Sequence, residues 1–264
     1  MTEGGPHGDG PPPVDWRGMA LECGDCRHVR RQAAGRCGLG WACVEDRYAK
    51  RIERFFLLNA DLADGELGHA YFEVRANAAR KATLFRLPRM LDDADAGVRA
   101  VALLRLPLEK IRRLARDPER SVRVAVAHRL PADEQLPMLN DPEPYVRLIS
   151  VRRAAPGLLP TMVRDPDPEI RRVVARRIGA QWLVHFLHDP DPMVRRDAAE
   201  RAAEQGTGTL LGEFARDADM RVRHVAAERG DAAVATRLLG DDEPFIRETA
   251  AVRLAQLRET TDVD

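Results

Sequence analysis

The stretch Asp117-Pro118-Glu119-Arg120-Ser121-Val122-Arg123 decides the fold, because the same phrase returns with variation along most of the chain. The Val-Arg or Ile-Arg pair of the phrase recurs, and its first residue is the anchor of each unit: Val74, Val98, Val122, Val146, Ile170, Val194, Val222 and Ile246. Successive anchors are separated by 24, 24, 24, 24, 24, 28 and 24 residues. This regular self-similarity is the sequence signature of a repeat array.

Each unit opens with an acidic residue five positions before its anchor. These residues are Asp93, Asp117, Asp141, Asp165, Asp189, Asp217 and Asp241. In four units a proline follows the aspartate directly. An aspartate accepts a hydrogen bond from a free N–H of the first helical turn, and proline is tolerated at the next position. Each Asp-Pro therefore predicts the start of a helix. The first unit differs, since His69 stands where the aspartate is expected.

The apolar spacing within a unit is helical. In the unit of Val122, small or apolar residues recur at Val126, Ala127 and Leu130, which is one face of a helix. Two helices of three turns each need about 22 residues before any connection is counted. The second element of a 24-residue unit must therefore be short, a single turn or a 3₁₀ segment. We predict an all-α solenoid of about eight repeats, with the long interval explained by a glycine-containing insertion at 203–208.

Composition limits the remaining choices. The 42 basic and 42 acidic residues balance to a formal net charge of zero. No apolar run of 18 residues and no signal-peptide core are present, so we expect no membrane span and a cytoplasmic protein. Residues 1–14 are rich in glycine and proline and are predicted to be disordered. Residues 259–264 are predicted to be a frayed tail.

All four cysteines lie in one short segment with the spacing C-x2-C-x10-C-x5-C: Cys23, Cys26, Cys37 and Cys43. Disulfides are disfavoured in a cytoplasmic protein. Four thiolates suit one structural zinc ion, and they equally suit an iron–sulfur cluster. The spacing alone does not distinguish zinc from an iron–sulfur cluster, and four thiols without a ligand are the third alternative. His28 is predicted not to be a ligand. Residues 44–59 are predicted to form an amphipathic helix that docks the segment through Tyr48, Ile52, Phe55 and Phe56.

The four-cysteine segment and the units of pattern Asp-Pro-x3-Val-Arg-x2-Ala-Ala-x-Arg-Leu together resemble the leucine-rich repeat variant proteins. The resemblance covers about residues 20–258. It implies a domain at 15–67 that holds a [4Fe-4S] cluster through Cys23, Cys26, Cys37 and Cys43, with one zinc ion as the alternative. It also implies a solenoid at 68–258 in which α-helices alternate with 3₁₀ helices in a right-handed superhelix. The family is associated with nitrogen-fixing bacteria, which implies a role near metallocluster assembly or electron supply.

Two rows of basic side chains run through the repeats. The first row follows the anchors directly: Arg75, Arg99, Arg123, Arg147, Arg171, Arg195, Arg223 and Arg247. The second row lies six residues further on: Lys81, Arg105, Arg129, Arg153, Arg177, Arg201, Arg229 and Arg253. We predict that at least one row pairs with the repeated aspartates or caps carbonyls between units. The alternative is a basic groove for an acidic protein or a nucleic acid.

No motif of a known catalytic class occurs, so we expect a protein that is not an enzyme. The first hypothesis is an iron–sulfur protein whose solenoid docks an unidentified protein partner. The second is a scaffold with a purely structural metal cap. The third is a HEAT-like nucleic-acid-binding protein, which the balanced charge and scarce aromatics disfavour.

Overall fold

The computed structural model describes residues 11–261 of the 264-residue chain. Of the predicted disordered segment 1–14, residues 1–10 lie outside the described residues. Residues 11–14 are held in place, since the backbone oxygen of Pro11 accepts from Arg51 at 2.8 Å and Val14 forms a β-bridge with Ala20. The predicted tail 259–264 lies outside the described residues from position 262. The described part is helical, and it contains isolated β-bridges but no strand. None of its helices is both long enough and apolar enough to cross a membrane.

The α-helices are α1 (Val29–Ala33), α2 (Ala49–Leu58), α3 (Ala63–Glu66), α4 (Phe72–Ala79), α5 (Ala96–Arg105), α6 (Leu108–Ile111), α7 (Arg120–Arg129), α8 (Leu136–Leu139), α9 (Pro144–Arg153), α10 (Pro168–Arg177), α11 (Pro192–Glu204), α12 (Gly208–Phe214), α13 (Met220–Arg229), α14 (Ala232–Leu238) and α15 (Pro244–Thr261). The 3₁₀ helices are Ala60–Leu62, Leu87–Asp92, Arg112–Arg116, Ala132–Glu134, Pro156–Met162 and Ala180–Phe186. Every anchor residue lies in an α-helix, so the predicted all-α repeat fold is confirmed.

The chain forms two compact units, one ending at Leu130 and the other beginning at Pro131. In the first, the cysteine segment and α2 precede the stacked helices α4, α5 and α7. In the second, α9, α10, α11, α13 and α15 stack in order, with the short elements between them. The anchors from Val74 to Ile246 are fully buried, as are the residues five positions after them up to Ala227, which are alanine except for Leu103 and Val151. Small side chains at these positions allow neighbouring helices to approach closely.

The second element of a repeat varies in type. In the repeats of Val98 and Val122 a short α-helix adjoins a 3₁₀ helix, and in those of Val146 and Ile170 the element is a seven-residue 3₁₀ helix. In the repeats of Val194 and Val222 the element is the seven-residue α-helix α12 or α14. The element is short in each of these repeats, as predicted, but α12 and α14 are α-helices of seven residues and not the predicted single turn or 3₁₀ segment.

The repeated aspartates do not begin the helices directly, contrary to the sequence reading. The carboxylate of Asp117 accepts the backbone N–H of Glu119 at 2.9 Å, and Glu119 is the residue that precedes α7. The same turn closes at Asp165, whose carboxylate accepts the N–H of Asp167 at 2.9 Å. The helix therefore begins three residues after the aspartate. Proline fits inside this turn because its position donates no hydrogen bond.

The first row of arginines forms a ladder of buried clamps. Arg171 donates from Nε and Nη2 to the carboxylate of Asp189 in the next repeat, at 2.7 and 2.9 Å. Its Nη1 donates to the backbone oxygen of Asp165 in its own repeat, at 2.8 Å. Equivalent arginine–aspartate pairs join Arg75 to Asp93, Arg99 to Asp117, Arg147 to Asp165, Arg195 to Asp217, and Arg223 to Asp241. The ladder prediction is confirmed for these repeats.

Five members of the second row cap the ends of preceding helices: Arg105, Arg129, Arg177, Arg201 and Arg253. Arg105 donates to the carbonyls of Ala79 and Ala82 at 2.8 and 2.6 Å, and Arg253 donates to Gly230 at 3.0 Å. These carbonyls lie at helix C-termini, where they lack partners within the helix. Both rows therefore satisfy polar groups inside the array.

The insertion at 203–208 closes on itself. Gly206 adopts a φ of 68°, a left-handed conformation that favours glycine, and its N–H donates to Ala203 at 3.1 Å. The N–H and hydroxyl of Thr207 both donate to the carbonyl of Ala202, at 3.0 and 2.9 Å. The insertion was predicted to be a loop, but three of its four additional residues lengthen α11 to 13 residues from the ten of α10, and the turn at Gly206 then ends the helix. α11 still stacks on α13.

The docking helix is shorter than predicted. α2 begins at Ala49, whereas residues 44–48 form a loop in which Val44 and Asp46 are buried. The carboxylate of Asp46 accepts the N–H of Tyr48 at 2.8 Å, which fixes the loop two residues before the helix. The predicted docking residues Ile52, Phe55 and Phe56 are fully buried, and Tyr48 is half-buried.

Candidate metal centre

The four cysteines share one small cavity, although 20 residues separate the first from the last. Cys23, Cys26, Cys37 and Cys43 all line it, and its cavity volume is about 20 Å³. Its other walls are mainly apolar and include Val29, Val44 and Phe55. No disulfide joins the cysteines. The cavity thus offers four sulfur donors in an environment with few competing polar groups.

Local backbone structure brings the sulfurs together. The N–H of Cys26 donates to the backbone oxygen of Cys23, and the N–H of Val29 donates to the backbone oxygen of Cys26. The first two cysteines therefore lie on a continuous turn that enters α1. Gly38 follows Cys37 and packs against the Trp41 indole so closely that a Cβ at this position would clash. The glycine therefore allows the backbone after Cys37 to pack directly on the indole ring of Trp41.

A buried asparagine holds the loop of Cys37. The side-chain amide of Asn59 donates to the backbone oxygen of Arg36 at 2.9 Å and to that of Phe55 at 2.9 Å. It therefore ties the residue before Cys37 to the end of α2, which itself packs on α4. Cys37 is positioned by the helix that docks the whole segment.

The thiols of Cys23, Cys37 and Cys43 have raised pKa values, which favours their neutral form. Burial raises the pKa of Cys37 to about 11 and that of Cys43 to about 12. Burial, followed by repulsion from Cys26, also raises the pKa of Cys23. Metal and cluster ligation requires thiolates, so binding must release protons from these groups.

Backbone amides point at the sulfurs and offset part of this cost. The N–H of His28 donates to Sγ of Cys26 at 3.4 Å. Hydrogen bonds from the amide of Leu39 lower the pKa of Cys23, and those from Glu45 and Asp46 lower the pKa of Cys43, against the larger effect of burial. Hydrogen bonds to cysteine sulfurs stabilise thiolates and set the potentials of iron–sulfur centres.

His28 lines the cavity, but its ring is engaged elsewhere. Its Nε2 lies 3.2 Å from a carboxylate oxygen of Glu66, and its ring packs on Phe55 with centroids 5.3 Å apart. Glu66 is buried and also accepts from Nη2 of Arg27 at 2.6 Å. Glu66 engages only one of the two ring nitrogens, so the non-ligand role of His28 stays a prediction. Arg27 and His28 fasten the cysteine segment to α3.

A second bridge joins the segment to the first repeat. Nδ1 of His69 accepts the N–H of Tyr71 at 3.0 Å, which reproduces the turn that an aspartate makes in the other repeats. Its Nε2 lies 3.2 Å from the carboxylate of Glu45, two residues after Cys43. Where other repeats present an aspartate to an arginine, the first presents a histidine to a glutamate of the cysteine segment.

Sequence reading missed the roles of Glu45, Asn59 and Glu66. A signal for Glu45 existed, since it precedes the exceptional His69 by 24 residues, which is one repeat period. No pattern marked Asn59 or Glu66, because each acts through a contact that depends on the fold of the segment.

Within residues 11–261, no three His, Cys, Asp or Glu side chains converge closely enough to form a site for a single metal ion. The four sulfurs surround a common cavity instead. Their number and type match the four cysteine thiolates that hold an iron–sulfur cluster. The donor chemistry and the largely apolar wall fit such a group.

Comparison with known proteins agrees with this chemistry. Residues 13–65 match the family model described as the LRV protein FeS4 cluster. A solved structure, described as a leucine-rich repeat variant with a novel repetitive structural motif, shares 34% identity with the chain at a TM-score of 0.80. The match covers 89% of this chain and 99% of the other. The chain belongs to the leucine-rich repeat variant family. It is an iron–sulfur repeat protein whose N-terminal segment is the family's cluster domain.

One curated relative is the 27.7 kDa protein of the nifB 3′ region of Rhodobacter capsulatus. It is 63% identical over 90 residues, which are 34% of this chain. The match spans 37% of that relative's length.

Proposed function

We propose that this leucine-rich repeat variant protein is a non-enzymatic [4Fe-4S] protein that docks a protein partner on its repeats. Cys23, Cys26, Cys37 and Cys43 are the cluster ligands in this proposal. The observation that carries it is the shared cavity of the four cysteines within the segment that matches the cluster domain. The free thiols suit a reducing compartment, so we place the protein in the cytoplasm.

When bound, the cluster supplies a centre that accepts or donates one electron. The residues of this chain exclude water and hold the ligands. Val44 and Phe55 wall the cavity, Asn59 fixes the loop of Cys37, and the amides near Cys43 stabilise its thiolate. Low exposure and hydrogen bonds to sulfur are among the features by which proteins set a cluster's potential.

We propose a protein rather than a nucleic acid as the partner. Non-specific nucleic-acid binding requires cations that are free to meet phosphates. Arginines of the first row pair with aspartates inside the array, as Arg171 does with Asp189. Arginines of the second row bond helix-end carbonyls, as Arg105 does. These cations are therefore engaged within the protein. The process we propose is nitrogen fixation, supported by the nifB-region relative.

A second candidate is a cluster that serves only as a structural cap. The bridges from Arg27 and His28 to Glu66, and from Glu45 to His69, favour it, because they join the cysteine segment to α3 and the start of the first repeat. A cap of this kind protects the end of a repeat array, whose outer face would otherwise meet water.

A reductive titration of the anaerobic protein, followed by electron paramagnetic resonance, separates the two candidates. Our proposal expects a reversible one-electron signal that is absent from Cys37→Ser. A cluster that takes up no electron down to the limit of dithionite, and whose removal lowers the melting temperature of the repeats, would establish the structural cap instead.

A further inference from the structure

A groove on the first compact unit runs between the docking helix α2 and the repeat helices α4 and α5. Its open volume is about 350 Å³. The buried ring of Phe56 and the half-buried Val101 line it, together with two exposed leucines. Leu57 is 61% exposed and Leu104 is 52% exposed. Large apolar side chains grouped in one groove mark an interaction surface more often than scattered ones do.

Comparison among the repeats shows that Leu104 is exceptional. It lies six residues after its anchor, on the outer face of α5. The residues at the same position of the other repeats are Arg80, His128, Arg152, Arg176, Glu200, Glu228 and, in the last repeat, Val252. All but the last are polar or charged. The repeat fold does not require a leucine at this position, so packing of the array does not explain it.

Three cations also line the groove: Arg80, Lys81 and Arg105. Arg105 caps the carbonyls of Ala79 and Ala82, as Arg129 and Arg253 cap carbonyls elsewhere. Lys81, its counterpart in the first repeat, makes no side-chain hydrogen bond or ion pair within residues 11–261, and neither does Arg80. Both side chains are exposed. Glu53 is the single acidic residue among those lining the groove.

We propose that this groove binds an acidic amphipathic helix of a partner protein. Apolar side chains at helical spacing cover Leu57 and Leu104, and carboxylates beside them pair with Arg80 and Lys81. Helices dock in apolar grooves through residues spaced by three or four positions, and charges at the rim choose the partner. The inference rests on the proposed role of the repeats as a protein-docking surface and names the site and the partner's chemistry.

The groove also lies beside the cluster domain. Phe56 lines the groove, and its neighbour Phe55 lines the cysteine cavity, with the two rings in edge contact at 5.4 Å. A partner bound here therefore rests on the helix that holds one wall of the metal centre.

A peptide-display selection tests this inference. A random 16-residue library is selected on the full-length protein, whose cluster content is measured by its absorption spectrum. We expect the selected peptides to be acidic, with apolar residues spaced by three or four. Leu104→Ser and Lys81→Glu should each weaken the binding of these peptides roughly tenfold. The first variant removes an apolar side chain that the peptide covers, and the second removes one charge pair. His128→Ser, at the same repeat position one unit later, should change it less than twofold.

Several results would overturn the inference. These are selected peptides that are neutral or basic, no selected peptide at all, or equal binding to Leu104→Ser. A dimer that Leu104→Ser dissociates would assign the groove to a second copy of the chain. Protein without iron that still binds acidic peptides through Leu104 would keep the groove and remove the cluster from the proposed function. Protein that carries a redox-active cluster but binds no acidic peptide would keep the cluster in the proposed function and remove the groove.

Discussion

Replacement of Arg171 by alanine should be among the most destabilising single changes in the second compact unit. The substitution removes both hydrogen bonds to Asp189, at 2.7 and 2.9 Å, and the bond to the backbone oxygen of Asp165 at 2.8 Å. The side chains of the pair are only 10% and 5% exposed. The change therefore leaves a buried carboxylate without its cation.

The expected loss follows from this burial. Removal of one partner of a buried ion pair costs about 3 to 5 kcal/mol, because the other charge stays buried and uncompensated. Asp189 retains one hydrogen bond, from the N–H of Asp191 at 3.0 Å. We therefore expect the lower end of this range, about 3 kcal/mol in the free energy of unfolding.

Urea unfolding followed by circular dichroism measures this loss, with Arg196→Ala as the matched control. Arg196 lies on the next helix and pairs with Glu200 at 2.5 Å, but their side chains are 36% and 39% exposed. An exposed pair of this type contributes less than about 1 kcal/mol. Equal losses in the two variants, or a loss below about 1 kcal/mol in Arg171→Ala, would refute the view that the clamps stabilise the array.

Further predictions concern pH, the insertion and the cysteines. Burial would raise the pKa of Asp117, but hydrogen bonds from Arg99 and from the N–H of Glu119 hold it below its ordinary value. The stabilisation from this carboxylate is therefore present above the unfolded pKa of about 4 and is lost as pH falls towards the folded pKa. Acid titration, followed by the helical circular dichroism, should show unfolding below about pH 4. A signal that does not change with pH would contradict this. Gly206→Ala should cost about 1 kcal/mol in urea unfolding, because its φ is 68°, whereas no loss would argue against the left-handed turn. Cys37→Ser should abolish the iron–sulfur absorption while most helical circular dichroism persists, and complete loss of helicity would show that the array requires the cluster domain.

The repeat architecture could be predicted from the sequence because its information is periodic. Eight anchors at nearly constant spacing, together with helical apolar spacing, leave few alternatives. At least one of the two basic rows was predicted to act within the array, and the clamp of Arg171 and the cap of Arg105 confirm this.

Local capping was harder to predict. The aspartates were assigned to the first helical turn, but Asp117 instead accepts from Glu119, the residue that precedes the helix. An aspartate five residues before the anchor could cap the first helical turn or close the turn before the helix. Residue spacing alone does not distinguish these two arrangements. Arg99 from the preceding repeat also holds this carboxylate, a contact that the spacing within one repeat does not reveal.

The grouping of the four cysteines around one cavity was predictable from the sequence, whereas the contacts that hold their segment in place were not. Four cysteines in one segment indicate a shared site, but the side chains that fasten that segment are ordinary in sequence. Glu66 pairs with Arg27 and His28 from 39 and 38 residues away. Contacts of this kind follow from the tertiary fold, and only the exceptional His69 marked one of them in advance.

Iron, acid-labile sulfide and zinc, measured on one anaerobically purified sample together with its absorption spectrum, test the central claim most directly. A [4Fe-4S] cluster requires about four irons and four sulfides per chain, with a broad absorption near 400 nm that Cys37→Ser lacks. A colourless protein with one zinc ion per chain would contradict the account and leave a zinc-capped repeat protein.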